Sequence, residues 1–172
     1  GVVLSARGKS ALMLEAYSGD LVIGANIRVD GQDAKADEGG AGSLGGYSGM
    51  DAGAGNGAGP GAPLTISTAG HGAAYGGHGS GNAKVYGDNA LDNLLGGSSG
   101  GPTATEGSGA GGGALWLKSA REVLIKPNAI LSANGGNGAG ASASGSGGGI
   151  RLEGLRIYNH GRIEAKAGVG VK

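Results

Sequence analysis

The residues of this chain that are best suited to chemistry lie in one glycine-rich stretch. His71, Tyr75 and His78 stand close together, and Asp88 and Asp92 follow them. Imidazole and carboxylate groups could bind a metal ion jointly. However, the spacing matches no tight metal-binding motif, and a glycine-rich loop does not hold ligands in a fixed geometry. We therefore predict no metal site and no cofactor.

Other chemical motifs are equally weak, so we predict no catalytic residues and expect that the protein is not an enzyme. The scattered histidines form no recognisable Ser-His-Asp arrangement. Two G-x-G-x-x-G matches, at 40–45 and 107–112, are expected by chance in a chain with 44 glycines among 172 residues. Neither opens a helix after a strand, as a dinucleotide site requires. Asp30, Ala133 and Lys166 take one equivalent position in the repeats described below, so no row of carbohydrate-cleaving acids forms.

Composition excludes several further classes of protein. Basic and acidic residues number 13 each, which argues against binding to nucleic acid or to an anionic membrane. The chain has no cysteine, which excludes disulfides and thiolate zinc sites. No apolar run is long enough for membrane insertion. Glycine stands mostly at alternate positions, as in residues 53–63, which excludes collagen and a packed bundle of helices with glycine at every third position.

A short unit is repeated along the chain. Residues 11–32 align without a gap with residues 114–135, and a shorter third copy spans 150–168. The segment "VLSARG" at 3–8 matches the tail of each copy. The alignment makes these apolar residues equivalent: Leu12 with Leu115 and Ile150, Leu14 with Leu117 and Leu152, Val22 with Ile125 and Ile157, and Ile27 with Ile130 and Ile163. Apolar and variable residues alternate within each copy, which indicates short strands with one buried face.

Short strands joined by turns predict an all-β protein. We expect a parallel β-helix (β-solenoid) of about three coils, forming one domain over residues 1–172. The coils would span about 1–32, 114–135 and 150–172, and long glycine-rich insertions at 33–113 and 136–149 would leave from one corner. Because strands and turns alone do not determine topology, an antiparallel glycine-rich sandwich is the alternative.

Stacked coils would bring equivalent residues next to each other. One buried face would hold the first two aliphatic positions of each copy, and a second face would hold Ile27, Ile130 and Ile163. Two outward rows are also predicted: Met13, Trp116 and Arg151, and Glu15, Lys118 and Glu153. The second row alternates in charge, as neighbouring strands prefer. Trp116 would stack on its neighbours in the first row, or contact a ligand.

The long insertion has sequence features of its own. Residues 63–68 and 83–87 have the composition of short strands, and Leu91, Leu94 and Leu95 could supply a small apolar cluster. Glycine also allows backbones to approach closely. We expect the insertion to pack as a second layer against the coils, and a mobile flap is the alternative.

Several motifs follow one another in a characteristic order. They are "AGHGAAYGGHGSG" (69–81), "VYGD" (85–88), "GSGAGGGALWLKS" (107–119), "GSGGGIRLEG" (145–154) and "GRIEAKAG" (161–168). This order resembles the glycine-rich β-helical repeat regions of large extracellular and cell-surface proteins. The resemblance covers most of residues 64–168 and more faintly 1–32, and it departs at Ala73 and Ala74, where the pattern has further glycines. It implies an extracellular location and a role in surface structure or adhesion, with no catalytic residues.

Two functions fit these features. The first is a structural unit that stacks head to tail into an extracellular fibre, filament or surface coat, because "VLSARG" (3–8) and "IEAKAG" (163–168) lie in the same phase of the repeat. The stacked neighbours would be separate copies of this chain or tandem repeats of one longer polypeptide. The alternative is an adhesin or glycan-binding module that presents the glycine-rich insertion. The residues predicted to contact a ligand or partner are His71, Tyr75, His78, Tyr86 and Trp116.

Overall fold

The strands of this protein form three parallel sheets. A computed structural model describes residues 10–54, 57–63, 71–76, 78–80, 83–87 and 91–170. Its strands are β1 (Leu12–Ala16), β2 (Leu21–Ile23), β3 (Ile27–Arg28), β4 (Ala114–Ser119), β5 (Glu122–Ile125), β6 (Ile130–Ser132), β7 (Gly149–Glu153), β8 (Arg156–Asn159) and β9 (Arg162–Glu164). The three sheets have the strand orders β1-β4-β7, β2-β5-β8 and β3-β6-β9. The all-β prediction is confirmed for these residues, and the antiparallel alternative is wrong.

The chain passes through the three sheets in the same order three times. We call these passes the first circuit (β1–β3), the second circuit (β4–β6) and the third circuit (β7–β9). The three sheets share one apolar core, in which Leu115, Leu117, Ile125 and Leu131 of the second circuit are fully buried. Inward residues of the other two circuits pack against this core but are only partly buried: Leu12, Leu14, Leu21, Ile27, Ile150 and Leu152.

The register of the first sheet is the one predicted from the sequence. Its inward rows are Leu12, Leu115 and Ile150, and Leu14, Leu117 and Leu152. Its outward rows are Met13, Trp116 and Arg151, and Glu15, Lys118 and Glu153. These equivalences are confirmed.

The predicted register is wrong in the second sheet. Ile125 pairs with Ile23 and not with Val22, and Ile157 pairs with Val123. Measured between paired residues, the link from β1 to β2 is one residue longer than the link from β4 to β5. A gapless alignment cannot show such a change, and a shift of one residue moves every side chain to the opposite face.

The predicted register is also wrong in the third sheet. Leu131, and not Ile130, pairs with both Ile27 and Ile163. Measured between paired residues, the link from β5 to β6 is two residues longer than the link from β2 to β3. It contains Asn128, whose φ is 69°. Leu131 is fully buried and Ile130 is half-buried, so Leu131 takes the core position that we expected Ile130 to hold.

The insertions contribute a layer that consists mainly of backbone, here called the glycine layer (residues 32–50, 96–113 and 134–148). Its central segment, residues 107–113, is buried throughout. Successive N–H groups of the central segment bond three neighbouring segments in turn. Gly107, Ala110 and Gly113 donate to Ala36, Gln32 and Val29; Ser108 and Gly111 donate to Met50 and Tyr47; Gly109 and Gly112 donate to Ala143 and Ser146. A period of three residues without internal hydrogen bonds is typical of the polyproline II helix.

The carbonyl groups of the central segment contact still further segments. Gly97 and Gly100 donate to Gly112 and Gly109, and Gly136 and Ala139 donate to Ala110 and Gly107. The sequence-based exclusion, which concerned only helices with glycine at every third position, did not anticipate this threefold hydrogen-bonding pattern. The chains of collagen meet at one axis and need glycine only at every third position. The central segment has neighbours on several sides: a Cβ on Gly109 would overlap the carbonyl of Gly136, and one on Gly111 would overlap that of Gly97.

The prediction that the long insertion packs as a second layer is confirmed for residues 96–103 and 107–113, which are buried. The strand predicted at 83–87 is wrong. This segment forms no strand, and Gly87 at its end has a φ of 83°, which an extended strand does not allow. Leu91, Leu94 and Leu95 are half-buried. The segment at 3–8 and the strand predicted at 63–68, beyond Pro63, lie outside the described residues.

Candidate functional site at the end of the three sheets

Tyr75 and Tyr86, two of the predicted contact residues, lie together. Their rings meet edge to face, with centroids 5.0 Å apart and an interplanar angle of 71°. The Tyr86 hydroxyl donates to the Gly96 carbonyl at 2.6 Å and accepts from the Ser98 hydroxyl at 3.0 Å. Burial raises the pKa of Tyr86 to about 12. These internal bonds fix the loop that carries Tyr86 onto the glycine layer.

The two predicted histidines and their acidic neighbours are placed differently. His71 is half-buried and His78 is exposed. Asp92 lies 4.0 Å from Arg151 in an ion pair, and Asp88 lies outside the described residues. Among the described residues, no group of three or more histidine, aspartate or glutamate side chains is placed to hold a metal ion. The glycan-binding alternative stays a prediction, which a glycan array with His78→Ala as comparison would test.

Trp116 stacks in its predicted outward row. The Arg151 guanidinium lies 4.9 Å from the centroid of the Trp116 ring, and the Lys118 ammonium lies 5.8 Å away. The Trp116 Nε1 is buried and has no hydrogen-bond partner among the described residues. Lys118 also forms a 3.0 Å ion pair with Glu15, and this hydrogen bond raises the pKa of Lys118. The cations on the ring favour a structural role in the row, and contact between Trp116 and a ligand stays a prediction.

A more prominent feature is the outer edge of the third circuit, here called the end face (the free edges of β7, β8 and β9). The head-to-tail stacking predicted from the sequence would take place here, although none of the predicted contact residues lies on the inward rows of this face. Ile157 and Ile163 point inward like their second-circuit partners Val123 and Leu131. Both partners are fully buried, whereas Ile157 is 45% exposed and Ile163 is 39% exposed. No described residue covers these inward side chains on the outer side of the third circuit.

Backbone donors at the end face continue a series that begins in the first circuit. The N–H groups of Val29 and Gly31 donate to the carbonyls of Ser132 and Asn134, and those of Ala133 and Gly135 donate to Glu164 and Lys166. The equivalent third-circuit N–H groups are those of Ala165 and Ala167. They have no acceptor within the described part of the chain. The end face therefore presents strand donors ready for another strand.

A row of aspartate and asparagine side chains also joins the circuits, beside the third sheet. The Asp30 carboxylate accepts the Asn134 N–H at 2.7 Å, and the Asn134 side-chain oxygen accepts the Lys166 N–H at 2.9 Å. Asn134, and not Ala133 as predicted, is therefore the residue equivalent to Asp30 and Lys166. A second row, three residues further on, repeats the arrangement with Asp33, Asn137 and Val169. Both rows end at the third circuit, because lysine and valine side chains have no acceptor.

Charged side chains surround the end face. Arg156 lies 2.8 Å from Glu122 of the second circuit. Arg162 and Lys166 each lie 3.0 Å from Glu164, and the hydrogen bond from Lys166 holds the pKa of Glu164 below its usual range. Residues 150–168, which include β8 and β9 and nearly all of β7, carry four basic and two acidic side chains with histidine neutral, a net charge of +2.

Comparisons with protein-family models, with curated proteins and with solved structures found no match. In the described residues no helix has the length and apolar character that a membrane crossing requires.

Proposed function

We propose that this chain is a structural unit whose three circuits form a parallel β-solenoid and stack head to tail in an extracellular fibre, filament or surface coat. The repeated passage through three parallel sheets and their common core support a solenoid. The extracellular location rests on the resemblance to glycine-rich repeat regions of cell-surface proteins.

The exposure of Ile157 and Ile163 carries this proposal. These side chains lie in rows whose second-circuit members, Val123 and Leu131, are fully buried. Another circuit at the strand spacing of ~4.8 Å would bury them in the same way and would accept hydrogen bonds from the free N–H groups. Burial of apolar area at about 25 cal/mol per Å² would favour such stacking.

Sedimentation velocity over a concentration series, together with negative-stain microscopy, tests the proposal. The wild type should form rods whose length increases with concentration. Ile163→Asp should abolish them, because a carboxylate would enter the apolar contact. Leu124→Asp is the matched control, since Leu124 lies on the outward face of the second circuit and away from the end face. A wild type that remains monomeric at every concentration would contradict the proposal.

A further inference from the structure

We infer that the end face binds the first circuit of a second copy of this chain, in the register that already relates successive circuits. This inference rests on the proposed head-to-tail stacking and specifies its partner. Residues 10–33, which contain the first circuit and the five residues after it, carry four acidic side chains and one basic side chain. Residues 150–168, which include nearly all of the third circuit and the four residues after it, carry four basic and two acidic side chains. The two ends of the unit therefore have opposite charge, which favours head-to-tail contact over contact between two end faces.

The register pairs individual charges as well. Arg28, Ser132 and Glu164 form one row, so a fourth circuit supplied by a second copy would place its Arg28 beside Glu164. The row of Asp30, Asn134 and Lys166 would likewise place Asp30 of the second copy beside Lys166. Within one chain, the uncharged Ser132 and Asn134 separate these pairs.

A third charged pair lies beside the second sheet. Continuing the row of Glu122 and Arg156 by one circuit brings Asp20 of the second copy next to Arg156. Each such cross-strand pair of opposite charge is a favourable contact.

Lys166 indicates which circuit of the second copy meets the end face. In the first two circuits this row carries Asp30 and Asn134, whose oxygens accept an N–H from the next circuit. Lys166 can only donate. Its ammonium already donates to Glu164 at 3.0 Å and has further N–H groups for a carboxylate of a neighbouring circuit, and of the three circuits only the first has a carboxylate at this position, Asp30.

The apolar rows agree with this register. Leu12, Leu14, Leu21 and Ile27 of the second copy would cover Ile150, Leu152, Ile157 and Ile163. All four first-circuit residues are partly buried and pack against the core.

Two positions in this register are less favourable, and each is compensated locally. Asn159 would meet Ile23, but its side chain already accepts the Gly161 N–H at 3.0 Å. Glu153 would meet Glu15, but Arg151 lies 3.4 Å from Glu153 and reduces the repulsion.

Two charge-reversed variants and their mixture test the inference. Arg28→Glu would place two acids at each junction, and Glu164→Arg would place two bases there. Each variant alone should associate about tenfold more weakly than the wild type. An equimolar mixture should assemble as an alternating copolymer, because every mixed junction again pairs glutamate with arginine. The difference in association between each variant and the wild type should be smaller in 1 M salt, where the screening length is about 3 Å.

Controls separate this inference from effects on folding and from the proposed function. Lys126→Glu reverses an exposed charge on the second circuit and should associate like the wild type. If mixing restores assembly, the two variants were folded beforehand, because mixing does not change the sequence of either one. If the wild type assembles and Ile163→Asp blocks it, but the mixture gains nothing over either variant, the register is wrong and head-to-tail stacking stands. Closed dimers in place of rods would overturn the register, and a monomeric wild type would overturn both.

Discussion

The three sheets and the glycine layer have interiors of opposite chemistry. In the sheets, side chains fill the interior, and Leu115, Leu117 and Leu131 are fully buried. In the glycine layer the interior is backbone, and the buried central segment contains only glycine, serine and alanine. Strands about 4.8 Å apart within a sheet place their side chains above and below it. The central segment has neighbouring backbone on several sides, which leaves no space for side chains at Gly109 or Gly111.

Side-chain hydroxyls complete the hydrogen bonding of the glycine layer. The Ser108 hydroxyl accepts the Met50 N–H at 2.9 Å, and the Ser98 hydroxyl accepts the Gly61 N–H at 2.9 Å. Buried backbone groups without partners are costly, and serine supplies an acceptor in little volume. One chain can therefore obtain a dense interior either from apolar side chains or from hydrogen-bonded backbone. The two interiors should respond differently to substitution.

The largest effect is expected from a single methyl group in the glycine layer. Gly111→Ala places a Cβ onto the Gly97 backbone, which cannot move without breaking its own bond to Gly112. We expect a loss of more than about 4 kcal/mol in the free energy of unfolding, at the extreme of single substitutions. Gly19→Ala is the control, because a Cβ there meets nothing within 4 Å. Urea unfolding followed by circular dichroism measures both, and equal stability of the two variants would contradict the close packing.

A smaller effect is expected in the core of the sheets, where neighbours can partly close a cavity. Leu131→Ala should cost about 2–5 kcal/mol, because Leu131 is fully buried. Ile130→Ala should cost clearly less, since Ile130 is half-buried. The same unfolding measurement compares the two variants. The reverse order would restore the register predicted from the gapless alignment.

That alignment shows which parts of the fold are readable from sequence. In the first sheet the alternation around Leu115 and Leu117 gave the correct register, because the compared strands have no length change between them. One shorter link and one longer link then shifted the pairing of Ile125 and of Ile130, and the gapless alignment missed both. Turn lengths can vary without altering composition, so periodicity alone does not fix the register of later strands.

The glycine layer and the end face were harder to predict. Hydrogen bonds between backbones leave no side-chain pattern in the sequence. The sequence around Gly111 therefore does not indicate which segments its backbone groups bond. The aspartate and asparagine rows did carry a signal, since the spacing of Asp30 and Asp33 is repeated by Asn134 and Asn137. Tyr86 was predicted to contact a ligand or partner; its hydroxyl is hydrogen-bonded within the protein, and the ligand contact stays a prediction.

A modest effect is expected from the row that joins the circuits beside the third sheet. Asn134→Ala removes the acceptor of the Lys166 N–H and should cost about 1 kcal/mol, the usual net value of one hydrogen bond. Asn93→Ala, at an exposed position beside the glycine layer, is the control and should change little. Hydrogen exchange of the Lys166 amide should also become faster in Asn134→Ala. Unchanged exchange at Lys166 would show that the row does not hold the third circuit in register.

An effect of similar size at neutral pH, but dependent on pH, is expected where the loop at Tyr86 rests on the glycine layer. Burial raises the pKa of Tyr86 to about 12, above the unfolded value of about 10. Between these values the unfolded chain has lost the proton that the folded chain keeps, so stability falls as pH rises. The stabilisation of the folded state that comes from the protonated Tyr86 hydroxyl is fully present below pH 10 and is lost by about pH 12.

Tyr86→Phe isolates this contribution, because phenylalanine lacks the titrating group and all other ionisable residues are retained. At neutral pH the wild type should be the more stable protein by about 1 kcal/mol, through its hydrogen bonds to Gly96 and Ser98. Urea unfolding at intervals from pH 8 to 12 should show this advantage shrinking only above about pH 10. Parallel stability curves for the two proteins would mean that water reaches the Tyr86 hydroxyl in the folded state. The loop would then lie loosely on the glycine layer, in contrast to the close packing expected around Gly111.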